Sequence, residues 1–294
     1  MNLKDTVANA LKEDIGPLGD LTASLLPPRA TGDAVIVPRH DGVLAGCDAA
    51  HEAFGQVDTR IAVAWTSSDG DRVRAGDAVA RVVGPLASVL TAERTALNFL
   101  SHLSGIATLT RRYVDIAAGR CAIRDTRKTT PGLRALEKAA VRAGGGVNHR
   151  GNLSDGILVK DNHLAGLTVG AAVAAARRQW PGRTVQVECD DIDQLEQALA
   201  AGADLVLLDN MLPAEVHECV ELVGKRCLVE VSGGVTLGNV DAYAATGADL
   251  VAIGALTHSA PILDVGLDLV PSPPGRAPSP PSSPKRGPDP AGAG

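Results

Sequence analysis

Aromatic residues make up 2% of this 294-residue chain: two Trp, two Tyr and two Phe. That is too few for the stacking platforms that hold single-stranded nucleic acid, and a net charge of −6 leaves no global basic face for a duplex. Cysteine is also sparse. The five, at 47, 121, 189, 219 and 227, form no Cys-x-x-Cys pair. An odd count without metal-type spacing reads as reduced thiols in a cytoplasmic protein. Long apolar runs are missing too. The longest uncharged apolar stretch, Leu164–Ala176, is rich in Ala and Gly and falls far short of the ~20 residues that span a bilayer. Met1 to Asp20 is charged and lacks the apolar core of a secretory leader, which again points to the cytoplasm. Lysine is scarce, with seven in the whole chain, so the position of each one carries information.

What is present is enough apolar content, 45%, for a sizeable core in one large or two ordinary domains. The chain divides into three parts. Residues 271–294 hold nine prolines with Ser and Gly. Such a composition cannot bury a core and predicts a disordered tail. Residues 104–270 contain a regular beat of short apolar runs rich in β-branched residues: Cys121–Arg124, Ile157–Lys160, Thr184–Glu188, Asp204–Asp209, Cys227–Val231 and Asp249–Ile253. Lys160, Glu188, Asp209, Ser232 and Gly254 follow one another at intervals of 28, 21, 23 and 22 residues. That is the length of one βα unit, so the region is expected to form an α/β barrel. Six runs imply an incomplete barrel, or a closing strand that the pattern does not reveal.

Residues 1–103 read differently. Asn2–Lys12 forms a short amphipathic helix pattern. Strand-like pieces with turn signals follow at Ala34–Pro38, Gly42–Gly46, Ile61–Ala64, Asp71–Val73 and Ala78–Val83. Ala87–Leu103 is helical, with Val89, Leu90, Leu97, Leu100 and Leu103 mostly along one stripe. The expectation is an N-terminal α/β sandwich domain, joined by helices to the barrel, with the last residues of the barrel region able to pack back on it.

The unusual residues of the barrel region fall at the C-terminal ends of its strands, where barrel enzymes keep their chemistry. Two loops hold five cations: Asp125-Thr-Arg-Lys-Thr-Thr-Pro-Gly-Leu-Arg134, and Asn148-His-Arg150 leading to Lys160-Asp-Asn-His163. For Arg127, Lys128 and Arg134 the plain reading is a solvated first turn of a helix starting near Pro131. The exposed amides of that turn favour an anion all the same. His149-Arg150 follows Gly144-Gly-Gly146, which permits a sharp turn or a close backbone approach. Lys160 after Ile-Leu-Val points into the barrel mouth, where an isolated ammonium is costly. It is either an anion clamp or a Schiff-base lysine. Glu188 and Asp209 serve a metal or a cation-like transition state, or neutralise Lys160. Ser232-Gly-Gly234 and, one unit later, Gly254-Ala255 resemble the two-loop phosphate cradle of late barrel strands.

These residues carry a resemblance to the quinolinate phosphoribosyltransferases. The matching segments are Glu13-Asp-Ile-Gly with Gly19-Asp-Leu-Thr22, Glu93-Arg-Thr-Ala-Leu-Asn98, Asp125–Arg134, Gly144–Arg150, Lys160–His163, Leu207-Leu-Asp-Asn210, Val231-Ser-Gly-Gly234 and Ile253-Gly-Ala-Leu-Thr-His-Ser259. Two departures stand out: Asn152 where the family usually has Gly, and Gln186 where it often has Glu. The resemblance implies a type II phosphoribosyltransferase-like fold. It also implies transfer of phosphoribosyl from phosphoribosyl pyrophosphate to quinolinate with loss of CO₂, in a homodimer that needs Mg²⁺. By carry-over, Arg127, His149, Arg150 and Lys160 face the two carboxylates of quinolinate, joined by Arg94 from the neighbouring subunit. Lys128 contacts the pyrophosphate. Glu188 and Asp209 serve the ribose hydroxyls and Mg²⁺, directly or through water, and with Lys160 form the catalytic set. Ser232, Gly233, Gly234, Gly254 and Ala255 cradle the 5-phosphate. Three other readings stay open: a relative from molybdate-transport operons, a barrel lyase using Lys160 as Schiff base, and a non-catalytic sensor of phosphorylated sugars.

Overall fold

The computed structural model describes residues 2–271. Apart from Pro271, the tail expected at 271–294 lies outside the described residues. Helix α1 (Leu3–Ile15) is capped by Asn2, whose side chain accepts the Asp5 amide at 2.9 Å. Then follow β1 (Thr31–Pro38), β2 (Gly42–Val43), α2 (Cys47–Val57), β3 (Ala62–Trp65), β4 (Arg72–Val73) and β5 (Ala80–Pro85). Antiparallel β1, β5 and β3 form a sheet whose alternating buried side chains, among them Ile36, Ala80 and Val82, pack against α1, α2 and the next helix.

That helix, α3, runs from Leu86 to Ala117. The pattern had predicted its end at Leu103, at the proposed boundary between domains. Ser104-Gly105 looks like an interruption, but it serves close packing: a Cβ on Gly105 would lie 2.2 Å from the Pro261 carbonyl oxygen. The helix therefore passes unbroken from one core into the other.

The barrel region continues with β6 (Ala122–Arg124), α4 (Arg134–Ala143), β7 (Ile157–Val159), α5 (Val169–Gln179), β8 (Val185–Cys189), α6 (Ile192–Ala200), β9 (Leu205–Asp209), α7 (Pro213–Val223), β10 (Leu228–Ser232), α8 (Val240–Ala244), β11 (Leu250–Ala252) and α9 (Ala255–His258). All six expected strands are present, parallel, in the order β6-β11-β10-β9-β8-β7. Their outward faces, such as Val187, Leu208, Val231 and Val251, are buried under the helices. The sheet curls without closing. A single parallel bridge from Arg124 to Val147 adds the start of one more strand beside β6, reached through the Gly144–Gly146 turn. Among the described residues no ladder joins it to β7. The chain ends its described course in β12 (Val265–Leu269), which returns to the first sheet and pairs antiparallel with β1, Val35 opposite Asp268.

Candidate active site

A cavity of about 960 Å³ opens at the C-terminal ends of the barrel strands. Strand alternation decides which residues line it. Inward positions at the strand ends supply Leu158 and Lys160 (β7 and its end), Glu188 (β8), Leu207 and Asp209 (β9), Ser232 (β10) and Ala252 (β11). The loops supply Thr126, Arg127 and Lys128 after β6, and His149 and Arg150 in the open gap between the Val147 bridge and β7. Of the residues expected in the site, Arg127, Lys128, His149, Arg150, Lys160, Glu188, Asp209 and Ser232 are thus brought together. Gly233, Gly234, Gly254 and Ala255 follow the ends of β10 and β11 but do not line the cavity itself. Arg94 sits exposed on α3, also away from the lining.

The charges at the mouth are unevenly matched. Lys160 pairs with Glu188, donating a hydrogen bond to its carboxylate. Arg127 and Lys128 are exposed and have no acidic partner among the described residues. The Arg150 guanidinium donates to the Gly156 carbonyl at 3.0 Å, and burial with the nearby Arg127 lowers its pKa. Asp209 accepts from Asn210 at 2.7 Å. Four cations against two carboxylates leave the lining with an excess of two positive charges.

Arg134, expected among the loop cations, is engaged elsewhere. Its guanidinium donates to Thr129 Oγ1, the Gly151 carbonyl and the Arg127 carbonyl at 2.9, 3.0 and 3.2 Å. It shapes the loop and does not face the cavity. The helix also begins at Arg134 and not at Pro131. Gly132 takes φ +83°, which interrupts a helical run, and the Thr130 amide is met by buried Glu137 at 3.1 Å. Thr257 Oγ1 donates to the Lys128 carbonyl at 2.7 Å, and the Lys128 side chain lies over Gly254, where a Cβ would come within 3.0 Å of it. Gly233 has φ +93°, and a Cβ there would meet Asn210 Oδ1 at 2.2 Å. Only glycine at 233 lets the loops after β9 and β10 touch.

Beneath the mouth lies a polar layer that was not read from the sequence. Glu230, fully buried, accepts from Arg124 at 2.8 Å and from Gln186 at 2.6 Å, both on Oε2. Burial raises its pKa, against the opposing pull of Arg124. Gln186 Oε1 meets His149 Nε2 at 3.2 Å. Gln186 therefore does not face the Glu188 and Asp209 carboxylates. A second network fixes the His149 corner. Buried Asp125 pairs with buried Lys138 and accepts the Asn148 side chain at 2.5 Å and the His149 amide at 2.8 Å. Lys138 also donates to the His149 carbonyl at 2.9 Å. The period of two already held part of this: Glu230 shares a face with Ser232, and Gln186 with Glu188. Lys138 gave no such signal, since nothing in its helix marks it as inward.

His149 lines the cavity beside Arg150. Its Nδ1 accepts the Arg150 amide at 2.7 Å while Nε2 faces Gln186. Burial, with Arg124, Arg150 and Lys138 nearby, pushes its pKa down to about 4. A neutral ring meets a carboxylate by hydrogen bonding and not by charge.

A family model described as "Quinolinate phosphoribosyl transferase, C-terminal domain" matches residues 106–268, and its N-terminal counterpart matches residues 20–104. The chain belongs to the quinolinate phosphoribosyltransferase family. It is 45% identical over 276 residues to the nicotinate-nucleotide pyrophosphorylase [carboxylating] of Mycobacterium leprae, covering 90% of this chain and 96% of the relative. A probable nicotinate-nucleotide pyrophosphorylase [carboxylating] of Bacillus subtilis is 41% identical, covering 92% and 94%. Among solved structures, the nicotinate-nucleotide pyrophosphorylase from Francisella tularensis matches with a TM-score of 0.88 at 37% identity, covering 91% of this chain and 96% of that one. The fold of this family is thus an N-terminal antiparallel sheet domain followed by an open α/β barrel.

Proposed function

We propose that this protein transfers the phosphoribosyl group of phosphoribosyl pyrophosphate to quinolinate, releasing pyrophosphate and CO₂ and giving nicotinate mononucleotide for NAD biosynthesis. Family membership supports the reaction. The observation that carries the assignment of the site is the single cavity in which Arg127, Lys128, Arg150 and Lys160 face Glu188 and Asp209. A site with surplus positive charge suits a small dicarboxylate and a polyphosphate together. Arg127 and Arg150 pair with the quinolinate carboxylates, alongside Lys160. Lys128 takes the pyrophosphate. Ser232 and the backbone of Gly233, Gly234, Gly254 and Ala255 hold the 5-phosphate. His149 faces the carboxylates as a neutral ring and fixes the backbone of Arg150.

The donor set fits Mg²⁺ in one manner. Among the described residues no three His, Cys, Asp or Glu groups converge as a metal cage. Glu188 and Asp209 sit at the ends of neighbouring strands over one cavity. Mg²⁺ commonly takes one or two carboxylates and completes its shell with water and substrate phosphates. Glu188 and Asp209 would hold it so, and when bound it would offset charge on the leaving pyrophosphate. The chain's own groups do the rest. Lys128 and the other loop cations stabilise the departing anion, and the carboxylates stabilise positive charge building on the ribose ring. The pyridine nitrogen attacks with its own lone pair, so no general base is required. Lys160, bound in an ion pair with Glu188, acts as an electrostatic group and not as a Schiff-base nucleophile.

Arg94 completes this reading from outside the chain: the partner subunit's Arg94 reaches the cavity in a homodimer. Arg94→Ala and Lys160→Ala proteins should each be nearly inactive. After subunit exchange, about half the dimers are mixed and about a quarter of the activity returns. No recovery in isolated mixed dimers would remove Arg94 from the site. The decisive assay for the reaction mixes purified protein with quinolinate, phosphoribosyl pyrophosphate and Mg²⁺. CO₂ and a mononucleotide should form, and binding without CO₂ release would support a sensor instead.

A further inference from the structure

We infer that Gln186 is a positioning residue, which fixes His149 in its Nε2–H tautomer and through it holds Arg150 at the cavity mouth. Two independent constraints on the ring lead there. On one side, the Arg150 amide can only donate, so Nδ1, at 2.7 Å, carries no proton. On the other, the orientation of the Gln186 amide is set by Glu230. The Oε2 atom of Glu230 already accepts from the Arg124 guanidinium at 2.8 Å, so the Gln186 group facing it at 2.6 Å must be the NH₂. The Oε1 atom of Gln186 is thereby turned to His149, where it can only accept, and Nε2 must carry the proton. The low pKa of His149 agrees with a neutral ring.

The chain of contacts runs from floor to mouth: Glu230, Gln186, His149, the Arg150 backbone, then the Arg150 guanidinium braced on the Gly156 carbonyl. Gln186 is 4% exposed and does not line the cavity, so its effect on a ligand must pass through His149. A glutamate here, as the family often has, serves in the same way when it shares a proton with Glu230: its O–H donates to Glu230 and its other oxygen accepts from Nε2.

The test joins a spectroscopic and a kinetic readout. In ¹⁵N-histidine-labelled wild-type protein near neutral pH, His149 should show an unprotonated Nδ1 and a protonated Nε2. In Gln186→Met, which fills the space without hydrogen bonds, that tautomer should give way to a mixture. The quinolinate KM should rise about 3- to 10-fold, the worth of one lost hydrogen bond, while the KM for phosphoribosyl pyrophosphate stays within about twofold. Gln186→Glu, the residue the family often has here, should keep the Nε2–H tautomer and hold the quinolinate KM within about threefold of wild type. A wild-type His149 with its proton on Nδ1 overturns the inference without any variant. So does a tautomer change without a KM change, or a KM change without a tautomer change. The kinetic arm rests on the quinolinate reading of the cavity and the spectroscopic arm does not, so the failure of one is distinct from the failure of the other.

Discussion

Glu188 and Gln186 lie two residues apart on one strand, as Ser232 and Glu230 do on another, yet the upper residue of each pair faces an open cavity and the lower one is sealed. At the mouth, Arg127 and Lys128 stand exposed, without acidic partners among the described residues. On the floor, Glu230 is fully buried and meets Arg124 and Gln186 at 2.8 and 2.6 Å. The same barrel face thus holds two kinds of polar chemistry. Buried charge must be satisfied within the protein, because no water can do it. Charge at the mouth can remain uncompensated until a ligand arrives. Mouth residues should therefore govern activity with little effect on stability, and floor residues should govern stability first.

The largest effect expected from this division is at Lys160. Lys160→Ala should lower turnover by about 10³-fold or more, since a group aimed at charge developing in the transition state is lost. Its side chain is 41% exposed, so circular dichroism and the melting temperature should hardly move. Near-normal activity would reduce Lys160 to a neutralising partner of Glu188.

Next comes the floor. Glu230→Leu removes the carboxylate that Arg124 and Gln186 both address and leaves the guanidinium without its partner. Breaking one side of a buried pair costs about 3–5 kcal/mol. Urea unfolding should show that loss in the midpoint while the slope stays constant. A change well under 1 kcal/mol would mean that Arg124 finds water, and the floor is not sealed.

The mouth and the floor also differed in how far the sequence revealed them. Lys160, Glu188, Asp209 and Ser232 were legible because a charged or small polar residue ending a β-branched run is conspicuous, and the regular spacing marked each as a strand end. The six strands followed from the same beat. The floor was less legible because a polar residue within a short run, such as Gln186 or Glu230, looks like the solvent face of a strand until curvature turns it inward. Helix α3 past Leu103, the Val147 bridge and β12 were hidden for another reason. Each depends on a partner remote in sequence: Pro261 behind Gly105, Arg124 beside Val147, Val35 opposite Asp268.

A smaller effect tests whether the mouth counts substrate charges. Nicotinate has one carboxylate where quinolinate has two, so one mouth cation would lose its partner. Truncating one member of a desolvated charge pair costs about 2–5 kcal/mol, or roughly 30-fold to several-thousand-fold in kcat/KM. Competition between the two acids measures the ratio directly. Equal turnover would show that the cations serve only the phosphates.

The smallest effect lies at the joint between the two layers, in the titration of His149. Its pKa in the folded protein is pushed down to about 4, first by burial and then by Arg124, Arg150 and Lys138, from an ordinary value of 6.5. Above pH 6.5 the ring is neutral in both folded and unfolded chains and stability does not depend on it. As the pH falls below 6.5 the unfolded chain takes up the proton first, so the folded state loses stability, and the loss levels off near pH 4 once the folded ring also titrates. The slope for one proton is about 1.4 kcal/mol per pH unit, which bounds the total at about 3 kcal/mol. Other groups titrate in the same window, including Glu230, whose raised pKa has the opposite sign. The measurement is therefore a difference: unfolding free energies of wild type and His149→Gln across pH 4 to 7.5. The advantage of wild type over the variant should be constant above pH 6.5 and shrink steadily toward pH 4. A difference that stays constant throughout would mean that the folded ring takes up its proton together with the unfolded chain, so that burial does not hold it neutral.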